Sequence, residues 1–510
     1  MMTYHRPRRG ALVLVAGLSA ACSQPTLPPQ STTTVVAPTA ATTASVAPTS
    51  GSTKQLSCPA TNTMSNFALS ADRAWLTTGC AGYEGCTDEN PDTNMDVWDV
   101  QKGQIGATLD AGQNNILTMA FGPGGHFVSV ANPHTGVATV RLFSVGSWAQ
   151  KHDMSFYCTG TAEFDPMGNF LALVGCDGNI ATVKLSDLTV LYRPESEAHL
   201  GGDYGVSLDY TPDGQTILVM DEYNGFQVLS ASTLIRKAPP RDIGRIAREA
   251  LSPARTQYAA VNDAGELYAF DSQKPTQKPS RLSVGKAGDV KQLLWLGEKR
   301  LLVSAEPSIL AEWDLSKKST SKKVVVTGLH STPYLYSDPS ASSVVMVDER
   351  GTVILWDAAT GAAKQLDPGR SAANSDDLPK VEWSRDGDRV LLQTRQTLRV
   401  FDKSGNLVAQ WQLGGDQANT NMTWIHKGEI IADANQTLHL YRVSDAAVLH
   451  LQSVVHNDHR IGLVSSPNGT WSGPEELAHC ALPDGTFKGR RVQRPSLLSD
   501  FLAGLPITQN

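Results

Sequence analysis

The chain lacks any apolar segment that could cross a lipid bilayer as a helix. The stretch Ala11 to Leu18 is eight residues long, whereas a spanning helix needs about 20. No later segment is apolar enough to span a membrane. A helical integral membrane protein is therefore excluded, and any attachment to a membrane has to use another device.

The chain also lacks the short motifs of several enzyme classes. It has no Gly-x-Ser-x-Gly nucleophile turn, no glycine-rich phosphate loop and no Cys-x-x-Cys pair. We therefore predict a non-enzymatic protein without a cofactor.

A basic excess is missing as well. The 43 basic and 50 acidic residues give a formal net charge of -7, and loss of Arg6, Arg8 and Arg9 with residues 1–21 would leave 40 against 50, or -10. The one basic run, Lys317-Lys318 with Lys322-Lys323, is interpreted as a solvated Ser/Thr-rich turn. Nucleic acid is excluded as the main partner, since such proteins carry a basic face.

The N-terminal residues have the composition of an export signal. A basic start (Arg6, Arg8 and Arg9) precedes the apolar stretch Ala11 to Leu18 and the small residues Ser19 to Ala21. We interpret residues 1–21 as a signal peptide that directs the chain out of the cytoplasm.

Cys22 follows the small residues directly, and this arrangement resembles a bacterial lipoprotein signal. The resemblance implies that Cys22 carries a lipid and becomes the mature N-terminus, although the preferred leucine stands one place early, at Leu18. Ordinary cleavage after Ala21 is the alternative. Lipidation would leave six of the seven cysteines, an even number that suits an oxidising compartment.

Residues 22–54 form the next segment, which is nearly all Thr, Ser, Ala, Pro and Val. Ser23 to Thr53 contains no charged residue. Such a composition cannot bury enough apolar surface to offset its ordering entropy, so we predict a disordered stalk. Its average span would be roughly 30 Å, enough to hold a domain clear of a membrane.

Residues 55–510 contain a repeat. Three copies carry a Trp-Asp pair, at Trp98-Asp99, Trp313-Asp314 and Trp356-Asp357. The equivalent positions of the nine copies are Trp98, Phe143, Leu185, Leu229, Phe270, Trp313, Trp356, Phe401 and Tyr441, and successive copies are 40 to 45 residues apart. Each copy has room for four short strands joined by Gly- and Asp-rich turns such as Asp165-Pro166-Met167-Gly168.

This repeat resembles the WD-repeat family over residues from about 60 to 455. The resemblance implies an all-β protein that forms a single WD-type β-propeller of eight or nine four-stranded blades. Arg460 to Ser466 and Asn468-Gly469 look like a further first strand with its turn. We expect the C-terminal segment to pack against the N-terminal blade and close the ring.

The family signature of Gly-His, Asp and Trp has candidates in one blade, at His330, Asp348 and Trp356. A general base is possible for a histidine, but a buried structural His held by Asp and Trp is favoured. His456-x-x-His459 and the alternation Asp92-x-Asn94-x-Asp96 lack the remaining ligands of known zinc and calcium sites, so no metal is expected.

Three first strands carry an acidic residue before their aromatic residue, at Glu163, Asp209 and Glu382. These carboxylates could face one axial channel and hold a cation or act on a substrate. Alternatively, each bonds backbone groups of a neighbouring blade, which is the interpretation that we favour.

Loop 81–96 of the first blade is the most elaborated connection in the chain, where other blades have tight turns. Its polar residues Tyr83, Glu84, Asp88, Glu89 and Asp92 mark it as a possible binding loop.

The six remaining cysteines are predicted to form three disulfides. A hairpin centred near 166.5 places Cys176 opposite about residue 157, one step from Cys158. The same test leaves Cys58 out of register with Cys80, so Cys80 pairs with Cys86. By elimination Cys58 joins Cys480.

The expected function is a membrane-anchored binding platform in the bacterial cell envelope, with protein partners. A propeller lipoprotein that assists outer-membrane protein assembly is a narrower alternative. A hydrolase or oxidoreductase that uses the channel carboxylates is the alternative from a different class.

Overall fold

A computed structural model of the chain describes residues 66–79, 94–112, 116–131, 136–157, 159–175, 179–193, 207–221, 225–237, 243, 246–274, 277–282, 290–306, 309–317, 320–369, 378–413, 421–426, 430–435, 437–456, 459–477, 480 and 492–505. Nearly all the secondary structure in these ranges is β-strand. None of the helices within them is long and apolar enough for a membrane span.

Nine sheets follow one another along the chain, and each is one blade. Blade 1 consists of β1 (Asn66–Leu69), β2 (Trp75–Gly79), β3 (Asn94–Asp99) and β4 (Gln104–Asp110). Blade 2 consists of β5 (Ile116–Gly122), β6 (His126–Ala131), β7 (Val137–Ser144) and β8 (Gln150–Tyr157). Blade 3 consists of β9 (Thr159–Phe164), β10 (Phe170–Gly175), β11 (Ile180–Lys184) and β12 (Thr189–Tyr192).

The middle blades repeat this pattern. Blade 4 has β13 (Ser207–Tyr210), β14 (Thr216–Asp221) and β15 (Gly225–Ser230), and a bridge from Leu229 to Arg236 stands in the place of the fourth strand. Blade 5 has β16 (Ile246–Leu251), β17 (Gln257–Asn262), β18 (Leu267–Asp271) and β19 (Ser280–Leu282). Blade 6 has β20 (Val290–Leu296), β21 (Arg300–Ala305), β22 (Ile309–Asp314) and β23 (Thr320–Lys323).

The last three blades complete the ring. Blade 7 has β24 (Tyr334–Ser337), β25 (Ser343–Val347), β26 (Val353–Asp357) and β27 (Ala363–Asp367). Blade 8 has β28 (Lys380–Trp383), β29 (Arg389–Gln393), β30 (Thr397–Asp402) and β31 (Leu407–Gln412). Blade 9 begins with β32 (Asn421–His426), β33 (Ile430–Asn435), β34 (Thr437–Arg442) and β35 (Ala447–His456). Of the basic run, Lys317 lies in the short helical connection after β22, and Lys322 and Lys323 lie on β23.

Each hairpin between the first two strands depends on a tight turn that the sequence specifies. In blade 3 the carboxylate of Asp165 accepts hydrogen bonds from the backbone amides of Met167 and Phe170, and Gly168 takes a φ of 74°. A side chain strains that left-handed conformation, which glycine adopts freely. The turn therefore fixes the register of β9 against β10.

The apolar core lies between the blades. Nine clusters of buried side chains each join two neighbouring blades in order around the ring. One of them contains Trp98 of blade 1 with Leu440 and Leu449 of blade 9. The ring is therefore closed by apolar packing between its first and last blades, and the blade number is nine.

The chain continues beyond blade 9 with β36 (His459–Ser465), β37 (Thr470–Ser472) and β38 (Val492–Gln493). The expected strand after residue 460 exists, but it does not begin a new blade. β36 pairs antiparallel with β35 and extends the sheet of blade 9, and it contacts β4 of blade 1. A cluster of Val454, Leu463, Trp471 and Leu477 packs beneath this extension.

A short helix, α1 (Leu497–Leu502), covers the junction of blades 9 and 1. Two arginines donate to its last carbonyls: Arg442 to Phe501 O at 2.8 Å, and Arg73 to Leu502 O at 2.7 Å. Cations at a helix C-terminus are favoured by the helix dipole. The expected closure of the ring by the C-terminal segment is confirmed.

Candidate binding surface and inner-strand carboxylates

Two of the three first-strand carboxylates lie close together and share a cation. Arg255 of blade 5 places Nη1 3.5 Å from Glu163 Oε1 and Nη2 3.1 Å from Asp209 Oδ1. The same side chain donates to Tyr210 O at 2.7 Å. Arg255, in the turn between β16 and β17, therefore connects blade 5 to the first strands of blades 3 and 4.

Glu382, the third carboxylate, is engaged elsewhere in the ring. Its Oε1 accepts hydrogen bonds from the Thr423 hydroxyl at 2.7 Å and from the Trp424 amide at 3.4 Å, both in blade 9. Burial raises the pKa of Glu382 to about 7, although the two hydrogen bonds act in the opposite direction.

Only Glu382 follows the favoured interpretation, because it accepts a hydrogen bond from a backbone amide of the neighbouring blade. Glu382 bonds the neighbouring blade, and Glu163 and Asp209 form ion pairs with Arg255. A carboxyl group with a pKa near 7 could act as a general acid or base. The hydrogen bonds from Thr423 and Trp424, however, make Glu382 part of the contact between blades 8 and 9.

Indole groups make a second set of contacts between blades, which the sequence analysis missed. Trp295, Trp383 and Trp424 occupy the aromatic position of their first strands. Each donates its Nε1–H to a first-strand carbonyl of the preceding blade, on Ala250 at 2.9 Å, Tyr336 at 2.9 Å and Glu382 at 3.3 Å. The recurring aromatic residue was a visible signal, because a buried indole N–H needs an acceptor.

The His330, Asp348 and Trp356 signature differs from the expected arrangement. Asp348 is fully buried and Trp356 is 4% exposed, but the imidazole of His330 is exposed. His330 contacts Asp348 through its backbone, whose N–H donates to Oδ2 at 2.9 Å. Asp348 also accepts from the Thr352 amide at 2.9 Å. The carboxylate thus organises the turn, and the histidine ring takes no part in the expected buried triad.

The predicted binding-loop residues Tyr83, Glu84, Asp88, Glu89 and Asp92 lie outside the described residues, as do Cys22 and the stalk. The loop is shorter than expected, because β3 begins at Asn94. Asp96 is buried in that strand, where Arg460 Nη1 lies 3.2 Å from its Oδ2. Any binding loop of blade 1 therefore ends next to the C-terminal extension of blade 9.

Five of the six cysteines that are predicted to pair lie outside the described residues, so the three pairings stay predictions: Cys58, Cys80, Cys86, Cys158 and Cys176. The ladder of β9 and β10 pairs Thr159 with Gly175, the residues that adjoin Cys158 and Cys176 in the chain. Cys480 is buried in the cluster beneath the blade 9 extension.

Within the described ranges no three His, Cys, Asp or Glu side chains are grouped to hold a metal ion. His459 is exposed at the start of β36, opposite His456 in the register of the hairpin.

No known protein family and no curated protein matches the chain. Solved structures do resemble it. A structure described as a eukaryotic initiation factor has 12% identity and a TM-score of 0.49, over 65% of this chain and 86% of the other. The dihydro-heme d1 dehydrogenase NirN in complex with DHE has 15% identity and a TM-score of 0.45, over 64% and 73%.

The C-terminal WD40 domain of Sif2 has 11% identity and a TM-score of 0.41, over 60% of this chain and 94% of that domain. Identities this low bear on no activity, binding partner or location. The sheets and their ring of interblade clusters define the architecture directly. The chain is a nine-bladed β-propeller.

Proposed function

We propose that this protein is a non-enzymatic binding platform for another protein, exported and anchored through a lipid on Cys22 to a membrane of the bacterial cell envelope. The basic and apolar N-terminal residues, the small residues before Cys22 and the uncharged stalk support the location. They supply an export signal, an anchor and a tether in the order that such a protein needs.

The non-enzymatic proposal rests on the contacts that the three first-strand carboxylates make. An enzyme of the channel would need Glu163, Asp209 and Glu382 to converge on a substrate. Two of them instead share Arg255, and the third bonds Thr423 and Trp424. These groups act as ties between blades, and the loops that join the strands remain as the variable surface for a partner.

The binding surface is proposed to lie at the junction of blades 1 and 9, on the face that carries the loop between β2 and β3. On this face β35 continues past the pairing with β34, and Gln452 to His456 pair with β36 only, among the described strands. The hairpin of β35 and β36 therefore lies beside β3, to which the pair Asp96–Arg460 joins it.

A pull-down from detergent-solubilised envelope, with the lipidated protein as bait, tests this proposal. Replacing residues 81–92 by a two-residue turn is expected to preserve folding and to abolish recovery of the partner. Met167→Ser is the matched control, because this 63% exposed side chain lies in a turn of blade 3 on the opposite face. Equal recovery with both variants would show that the blade 1 face does not bind the partner.

The anchor is tested separately by fractionation. Cys22→Ala is expected to move the protein from the membrane pellet to the soluble fraction, since the stalk and propeller offer no spanning segment. Retention of the variant in the pellet after a high-salt wash would contradict the lipid anchor.

A further inference from the structure

A pair of histidines on blade 9 takes no part in the contacts described so far. His439 of β34 and His450 of β35 are directly opposite each other in the strand register. Their Nδ1 atoms are 2.6 Å apart, and the two rings are nearly perpendicular, with centroids 4.7 Å apart. Two imidazole nitrogens thus face one point between neighbouring strands.

Both rings have a lowered pKa. Burial and, to a smaller extent, the neighbouring His450 lower the pKa of His439 to about 4. Burial also lowers the pKa of His450. An imidazole nitrogen has to be unprotonated to bind a metal. One of the two Nδ1 atoms already offers a lone pair, and the other offers one once its proton moves to Nε2 of the same ring.

The histidine pair contacts an aromatic ring and is partly exposed to solvent. The ring of Tyr441 stacks against His439 with centroids 6.4 Å apart and an interplanar angle of 27°. Both histidines are partly exposed to solvent. In the strand register Asp433 stands opposite His439 on β33, so residue types that commonly bind metals occupy three successive strands at one level.

We propose that His439 and His450 bind one first-row divalent transition metal ion, such as Cu²⁺ or Zn²⁺, through their Nδ1 atoms. Imidazole nitrogen is a preferred ligand of these ions, and the metal–nitrogen distance is about 2.0–2.1 Å. Two such bonds at an angle of about 90–110° need the nitrogens roughly 3 Å apart, which small rotations of the two rings supply. Without metal, one Nδ1–H donates to the other Nδ1.

Bound metal would join the third and fourth strands of blade 9, next to blade 8. His439 contacts the ring of Tyr441 on the same strand. The Tyr441 ring in turn packs against the ring of Trp411 in blade 8, with centroids 5.4 Å apart. The site is therefore distinct from the proposed partner surface at blades 1 and 9, and it stands whether or not that surface binds a protein.

Titration of the purified, chelator-treated protein with Cu²⁺, followed by electron paramagnetic resonance, tests the site. The spectrum of the wild-type protein at one equivalent is expected to show hyperfine coupling to two imidazole nitrogens. His450→Gln is expected to reduce this to one nitrogen and to weaken the affinity by at least about tenfold. A wild-type spectrum without two nitrogen couplings would overturn the proposal even if the variant did not fold.

The second histidine pair of the chain provides the control. His456 and His459 are also opposite each other in register, at the tip of the hairpin. The double variant His456→Ala/His459→Ala is expected to retain the wild-type copper spectrum and affinity. Loss of the spectrum in this variant, with retention in His450→Gln, would place the copper at the hairpin and refute the site on β34 and β35.

Discussion

Arg460 of β36 and Asp96 of β3 form an ion pair between residues 364 positions apart, with Nη1 3.2 Å from both carboxylate oxygens. The Asp96 side chain is 3% exposed and that of Arg460 is 13% exposed. This pair joins the C-terminal extension of the last blade to the third strand of the first blade. Closure of the ring therefore includes a buried polar contact as well as an apolar cluster.

Removal of Arg460 is expected to take a counter-charge away from the buried carboxylate of Asp96. Arg460→Met should lower the free energy of unfolding by about 3–5 kcal/mol. Lys403→Met is the control, because Lys403 and Asp388 form a pair whose side chains are 68% and 61% exposed. That variant should cost less than about 1 kcal/mol. Equal effects in urea unfolding would show that the junction does not depend on the ion pair.

Gly462 of β36 lies directly against the ring of Trp98 in blade 1. A Cβ at this position would lie 2.4 Å from Trp98 Cζ3, and Trp98 is fully buried. Gly462→Ala should therefore displace the indole and cost about 1–3 kcal/mol of stability. At Gly106 in β4 the nearest atom would be 3.4 Å away, an ordinary contact, so Gly106→Ala is the control. Thermal melts that rank the two variants equally would contradict the close packing.

The indole bonds between blades predict a difference between two tryptophans. Trp383→Phe loses the hydrogen bond to Tyr336 O, whereas the buried Nε1 of Trp313 has no partner among the described residues. Both changes remove similar packing, so Trp383→Phe should be the more destabilising by about 1 kcal/mol. Denaturant titration of both variants measures the difference. A larger loss for Trp313→Phe would argue against a role of the indole bond.

Glu382 predicts a pH dependence of stability. Its pKa is raised by burial to about 7 in the folded protein, from an ordinary value of 4.5. The folded state therefore binds the proton more tightly, and the stability contributed is present below pH 4.5 and lost as the pH rises through 7. Glu382→Gln keeps a neutral side chain at every pH. Its stability relative to wild type should rise by about 1–3 kcal/mol between pH 5 and pH 8.

Asp213→Asn is the control for that measurement. A hydrogen bond from the Thr211 hydroxyl lowers the pKa of Asp213, so it is ionised throughout this range in both states. Its stability difference from wild type should stay constant between pH 5 and pH 8. A constant difference for Glu382→Gln as well would mean that the carboxyl group is not held in its neutral form.

Local chemistry in the sequence was enough to predict the blades. The turn of Asp165 to Gly168 and the third-strand position of Trp98 and Trp356 follow from turn preference and a repeat of constant length. The sequence left eight or nine blades open, because leucine replaces the aromatic residue in two copies. The interblade clusters decide the number, since each junction has its own apolar core.

Contacts across the ring could not be predicted in the same way. Nothing near Arg255 in the sequence indicates that its side chain contacts both Glu163 and Asp209, because this depends on the angle between three blades. The strand after residue 459 was predicted, but its pairing with β35 was not, since a strand has the same pattern in a new blade as in an extended one. The exposed ring of His330 was not predicted either. The motif determines the hydrogen bond from the His330 backbone to Asp348, but it does not determine where the imidazole lies.

Site-specific photo-cross-linking in intact cells tests the binding-platform proposal most directly. A photoreactive amino acid at position 455, an exposed valine on the hairpin of β35 and β36, is compared with one at position 167 on the opposite face. The account predicts a discrete cross-linked partner protein from position 455 and none from position 167. Cross-links that are absent at 455, or that are the same at both positions, would contradict it.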